Sequence, residues 1–164
     1  MVEAARASGR GGAAALPGRA ARRPARGARE RPGGPLIYID TSVALAHLLA
    51  EDRHPPDTFW AELLVSSRLL EYEVRTRVHA RKLGRSHREA VQAILGRIAF
   101  LELIPEVLGR AREPFPVPVR TLDALHLASA HFLEQQGQSI AIASYDRRLL
   151  AAAKSMRLTI RPLP

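Results

Sequence analysis

The stretch "LIYIDTSVALAHLL", residues 36–49, decides the fold. Four β-prone residues, Leu36 to Ile39, run into Asp40, and the segment behind it, "TSVALAHLLA" (41–50), has the length and composition of a helix. A strand that hands its chain directly to a helix opens a β–α unit. An acid at that junction has two readings: its oxygens cap the helix behind it, or they hold a metal ion at the edge of a sheet.

The alternation continues outward from this point. "HPPDTFWAELL" (54–64) predicts a turn and a short helix, "LLVSS" (63–67) a second strand, and "LLEYEVRTRVHARKLG" (69–84) a helix closed by Gly84. "SHREAVQAILGRIAFL" (86–101) predicts a helix opened by a Ser86 and Glu89 capping box, "LELI" (101–104) a third strand, and "EVLGRARE" (106–113) a short helix. After the Pro-rich loop "EPFPVPV" (113–119) come the helix "TLDALHLASAHFLEQQG" (121–137), the strand "SIAIAS" (139–144), the helix "DRRLLAAAKSM" (146–156) and the strand "LTIRP" (158–162). Short apolar strands alternating with helices predict an α/β three-layer fold, a central and mainly parallel sheet flanked by helices.

Composition narrows the chemistry. The 164 residues, 46% hydrophobic, fit one domain with a sizeable core. With no cysteine, disulfides, thiolate zinc sites and cysteine nucleophiles are all excluded. No apolar run reaches the roughly eighteen residues of a membrane span, and "GGAAALPG" near the start is too short and broken for a signal-peptide core, so a soluble cytoplasmic protein without a membrane partner is expected.

The formal charge of +9 is unevenly spread. Residues 1–35 hold eight arginines and two glutamates among Gly, Ala and Pro, a net of +6, whereas residues 36–164 carry 17 basic and 14 acidic groups, a net of +3. The first segment has too little apolar surface to offset its ordering entropy, so it is expected to be a disordered N-terminal extension, with the domain at 36–164. Three readings of it stand: a basic arm attracting RNA, a transit peptide, or a translation start assigned upstream in a GC-rich gene.

Four acids occupy similar places: Asp40 and Asp146 just past strands, Glu73 early in the helix after the second strand, and Asp123 in the first turn of its helix. In parallel α/β sheets, sites form beyond the carboxyl ends of the strands where the strand order reverses. Singly, each acid has a structural role open to it. Asp40 and Asp146 can cap helices, Asp123 can offset a helix dipole, and Glu73 can pair with Arg77 as Glu71 can with Arg75. Together they stand in apolar surroundings, "IYIDTS", "TLDALHLA" and "AIASYDRRL", where unpaired charge is costly and crowded carboxylates raise one another's pKa unless a cation compensates. Hard oxygen donors favour Mg²⁺ or Mn²⁺.

The blocks "IDTSVAL", "SRLLEYEVRTRVHARKLG", "TLDALHLASA" and "SYDRRLLAAAKSMRL", in this order over residues 36–163, resemble the PIN-domain ribonucleases, specifically the small VapC-type toxins of toxin–antitoxin pairs. The resemblance implies that Asp40, Glu73, Asp123 and Asp146 form an acidic quartet holding the metal and carrying catalysis. It places Thr41, Ser42 and Ser144 where hydroxyls orient water or the scissile phosphate, and makes Glu71 a surface acid. The implied chemistry is Mg²⁺- or Mn²⁺-dependent hydrolysis of RNA phosphodiesters. The implied partners are the RNA substrate, a small cognate antitoxin and a second copy of the chain in a homodimer.

Arg75, Arg77, Arg81, Arg85, Arg147 and Arg148 are candidate phosphate contacts, Arg77 and Arg147 foremost. His126, three residues after Asp123, either faces the site or packs in the apolar helix. His47, His54, His79, His87 and His131 show no zinc-ligand spacing, and there is no glycine-rich phosphate loop. Two other classes stay open. One is a phosphate-handling protein with an aspartyl acceptor, for which the chain offers only Lys82 and Lys154. The other is a catalytically silent module that binds RNA or protein; the presence of all four acids argues against it.

Overall fold

The computed structural model describes residues 34–164, so the N-terminal extension falls, for residues 1–33, outside the described residues. From Leu36 onward the chain forms β1 (Leu36–Ile39), α1 (Thr41–Leu48), a 3₁₀ turn (Asp57–Ala61), β2 (Leu64–Ser67), α2 (Arg68–Ala80), α3 (Arg88–Leu95) and β3 (Ile98–Leu101). It continues through α4 (Pro105–Arg112), α5 (Thr121–Gln135), β4 (Ile140–Ala143), α6 (Arg147–Ser155) and β5 (Thr159–Ile160). The five strands lie in the order β3-β2-β1-β4-β5, every neighbouring pair parallel. The chain leaves β1 toward one edge and returns to its other side as β4, so the order reverses between β1 and β4.

Helices cover both faces, which is why the strands read as unbroken apolar runs. Ile37 and Ile39 pack on one side with Val43, Leu70, Val74 and Ile94 of α1 to α3. On the other, Tyr38, Ile140 and Ile142 meet Leu127 of α5 and Leu149 of α6. The period-two alternation of β1 thus divides the core into two layers. No helix among the described residues is long and apolar enough to cross a membrane.

The structure corrects the middle of the chain. The third strand is "IAFL" (98–101), paired with β2 through Leu64 and Ile98, and not "LELI" (101–104). Helix α3 stops at Leu95, where Gly96 follows, and the β-branched and aromatic residues after it join the sheet. The Ser86 and Glu89 capping box does not form either. The helix begins at Arg88, and the Ser86 hydroxyl bonds instead to the Leu83 carbonyl and His87 Nδ1.

Four helices end in one manner, with a left-handed residue whose successor donates to the carbonyl five back. Ala50, Lys82, Gly137 and Arg157 have φ of 47, 59, 78 and 64°. The closing bonds are Glu51 to Ala46 at 3.0 Å, Leu83 to Val78 at 3.0 Å, Gln138 to Leu133 at 3.1 Å and Leu158 to Ala153 at 3.0 Å. Only Gly137 adopts this conformation without a Cβ. Gly137→Ala is expected to destabilise by about 1 kcal/mol, through the backbone alone, because an added Cβ would meet nothing within 4 Å. Ala50→Gly should shift stability the opposite way, and urea midpoints of the two variants measure both.

Candidate active site

The reversal of strand order between β1 and β4 builds the site. Ile39 is paired with Ala143, so Asp40 and Ser144 leave the sheet side by side, with Asp146 just beyond. Glu73 arrives from the second turn of α2 and Asp123 from the first turn of α5. All four acids line one cleft of about 520 Å³, together with Thr41, Ser42 and His126; Arg77 of α2, Arg81 just after it and Arg120 before α5 also border it. A larger and more apolar hollow of about 730 Å³ lies between α4 and α5, sharing Arg120 and Thr121 with the cleft, but none of the four acids reaches it.

Asp40 is 6% exposed. Although it occupies the N-cap position of α1, its carboxylate makes no capping bond, which corrects the cap reading for this residue. It accepts instead from the Ser42 hydroxyl at 2.7 Å. Ser42 Oγ in turn accepts from the Tyr145 amide at 2.9 Å, and Ser144 Oγ from the Asp146 amide at 2.8 Å. These hydroxyls tie the two strand ends together. Burial pushes the Asp40 carboxyl above its ordinary range, against the opposing charge of His126 and the bonds from Ser42 and Ser144.

Asp146 does cap its helix: Oδ1 accepts from the Arg148 and Leu149 amides at 2.7 and 3.3 Å. Its Oδ2 stands 3.8 Å from Arg120 Nη1. Asp123 is pushed up by burial and by the charge of Asp146, with Arg120 and His126 opposing. Glu73 does not pair with Arg77. It turns inward, where Oε2 accepts from the Thr41 hydroxyl at 2.5 Å and lies 3.0 Å from His126 Nε2. Burial raises this carboxyl, but the His126 and Thr41 bonds outweigh it and hold Glu73 below its ordinary range. The expected pair of Glu71 and Arg75 forms at 3.0 Å on the surface.

His126 belongs to the site and is 3% exposed. Besides Glu73, it meets the Tyr38 hydroxyl through Nδ1 at 3.0 Å. Burial lowers its pKa, yet Tyr38, Glu73 and Asp40 more than offset that and push the imidazole well above its ordinary range. As an imidazolium it donates from Nε2 to Glu73 and from Nδ1 to the Tyr38 oxygen. The signal in the sequence was its spacing from Asp123, which puts both on one face of α5. Arg120 and Tyr38 had no such signal. Of the foremost arginines, Arg77 lines the cleft, whereas Arg147 is exposed and does not.

The donors fit a hard divalent cation in kind: all four are carboxylates, and the upward pressure on Asp40 and Asp123 is what a bound cation would relieve. Among the described residues, no three His, Asp or Glu side chains converge as a ready chelate. Glu73 is turned to Thr41 and His126, and Asp146 to its own helix, so ligation requires these carboxylates to rotate toward the cleft.

A doubly wound parallel sheet with acids gathered at its reversal point defines the class, and comparison with known proteins supplies the family. The sequence model of the PIN domain matches residues 37–155. The chain is 34% identical over 136 residues to Ribonuclease VapC46 of Mycobacterium tuberculosis strain H37Rv, covering 76% of this chain and 95% of that protein. It is 30% identical over 128 residues to Ribonuclease VapC47 of strain CDC 1551 (74% and 92% covered) and 28% identical over 131 residues to Ribonuclease VapC35 (76% and 95%). The chain belongs to the PIN-domain family.

Proposed function

We propose that this protein is a metal-dependent endoribonuclease and the toxin of a VapBC-type pair. The observation that carries this reading is the convergence of Asp40, Glu73, Asp123 and Asp146, from four separate segments, on one cleft at the reversal point of the sheet. The ribonuclease names of its relatives support RNA as the substrate. When bound, Mg²⁺ or Mn²⁺ supplies Lewis acidity, lowering the pKa of a water and stabilising charge on the departing oxygen. Asp40, Glu73, Asp123 and Asp146 would hold it. Ser42 fixes Asp40, Thr41 and His126 fix Glu73, and Ser144 fixes the turn before Asp146. Arg77, Arg81 and Arg120 border the cleft where phosphates on either side of the cut would lie.

The deciding experiment incubates the purified chain with total bacterial RNA in Mg²⁺, Mn²⁺ or EDTA. Discrete fragments that vanish in EDTA are the expected result. No cleavage, or cleavage indifferent to chelation, overturns the proposal and favours a silent binding module. In parallel, saturating Mn²⁺ should raise the melting temperature by several degrees, as ligand-linked stability requires.

The partners follow from the same reading. An acidic cleft of this kind suits an arginine-bearing segment of a small antitoxin, and the active form is a cytoplasmic homodimer. Expression of the chain alone should arrest growth, and unhindered growth would count against the toxin role.

A further inference from the structure

The segment from Arg75 to Arg88, "RTRVHARKLGRSHR", carries six cations and no acid, and it forms the end of α2, the elbow and the first residue of α3. All six are exposed. Arg75 is held by Glu71 at 3.0 Å. Among the described residues, Arg77, Arg81, Lys82, Arg85 and Arg88 make no ion pair, and the segment itself holds no acid to supply one. Leaving five neighbouring like charges without counter-charges is unfavourable to the folded chain, and a polyanion would relieve it.

Two of these cations reach the cleft. Arg77 stands one turn beyond Glu73 on α2, Arg81 follows one turn later as the residue just past the helix, and both border the cleft directly. Arg81 thus lies roughly 12 Å along the helix from Glu73, at 1.5 Å per residue. The chain then turns at Lys82, whose left-handed backbone (φ 59°) ends α2, and a short elbow carrying Arg85 leads to Arg88, the first residue of α3. Arg88 shares a small hollow with Arg75 and His79. Gly84 allows this closure, because a Cβ there would stand 2.8 Å from the His79 ring.

We propose that the α2–α3 elbow is a second RNA-binding surface, which engages phosphates of a folded RNA away from the scissile bond. The inference rests on the ribonuclease reading and names its substrate class: an RNA that presents a phosphate-dense helical segment beside the cut, in preference to a short free strand. Four of the five unpaired cations are arginines, suited to paired contacts with phosphate oxygens. Recognition of helical RNA proceeds largely through such backbone contacts. Continuity with the catalytic cleft favours RNA over an anionic membrane.

The test uses the full chain and the triple variant Lys82→Gln/Arg85→Gln/Arg88→Gln, with bulk transfer RNA in EDTA as probe, titrated over a range of salt. Each lost phosphate contact should lower the slope of log K against log salt by about 0.7–0.9, so the variant should lose roughly two units of slope and at least tenfold in affinity at low salt. In Mg²⁺ it should cleave folded RNA with raised KM and unchanged kcat, while its Mn²⁺-induced melting shift stays that of the wild type. If wild type binds and cleaves but the variant keeps its slope, the elbow proposal alone falls. It also falls if anionic phospholipid vesicles bind the wild type more tightly than RNA does and the variant loses only vesicle binding. A wild type that neither binds nor cleaves RNA overturns this proposal and the ribonuclease reading together.

Discussion

Asp40→Asn is expected to leave a folded protein whose metal-dependent RNA cleavage is slowed about 10²–10³-fold, the scale of removing one preorganised electrostatic group from an active site. The substitution keeps the shape of the side chain and an oxygen able to accept from Ser42, so the junction of β1 and α1 should persist. What it removes is a negative charge in a site 6% exposed, where burial already works against ionisation. Metal-free Asp40→Asn should therefore be as stable as the wild type or more so, since burial outweighs the opposing charge of His126 and the bonds from Ser42 and Ser144. Added Mn²⁺ should then no longer raise its melting temperature by the wild-type amount. Loss of cleavage with full stability and a diminished metal response is the signature of a ligand. Loss of cleavage with a large loss of stability would instead make Asp40 a structural group. Cleavage assays and thermal melts of the same preparation, with and without Mn²⁺, separate the two.

Much of this site was legible because the determinants are local. Strand β1 and the acid behind it are contiguous, as are β4 and Asp146, and the rule that parallel sheets place sites at their carboxyl edge turned two junctions into one prediction. What the sequence could not supply was partner choice across the core. Glu73 has Arg77 one turn away, the pairing that helix spacing favours, yet it turns to Thr41 and His126, which are 32 and 53 residues distant. That choice depends on α2 and α5 packing close to the end of β1, a long-range fact with no local periodicity. The misplaced third strand has a different origin. In "AILGRIAFL" the apolar spacing suits a helix continuing past Gly96, and only pairing with β2 decides that Ile98 to Leu101 extend instead. Gly96 was the available signal. Asp40 shows the reverse case, in which a local rule predicts a cap and the carboxylate is drawn instead to Ser42 and the cleft.

The largest stability effect should come from His126→Ala. The imidazole ties three segments together: Tyr38 in β1, Thr41 at the start of α1, 3.4 Å from Nε2, and Glu73 in α2. Truncation leaves the buried Tyr38 hydroxyl without this partner, leaves Glu73 with Thr41 as its remaining donor, and opens a cavity on a helix whose neighbouring Leu127 is fully buried. Breaking one side of a buried charged pair typically costs about 3–5 kcal/mol, so the loss should lie in that range, read from urea unfolding. His126→Gln keeps a donor and most of the volume, and should recover part of that stability. The catalytic consequence divides differently, because His126 acts through Glu73. Without the imidazolium, Glu73 loses the strongest influence holding it ionised, and its carboxyl should rise toward or above the ordinary range. A positioning role therefore predicts that His126→Gln, though folded, needs a higher Mn²⁺ concentration for half-maximal cleavage, with the rate at saturating metal largely restored. If folded His126→Gln shows the wild-type metal requirement, His126 is a packing residue that happens to touch the site.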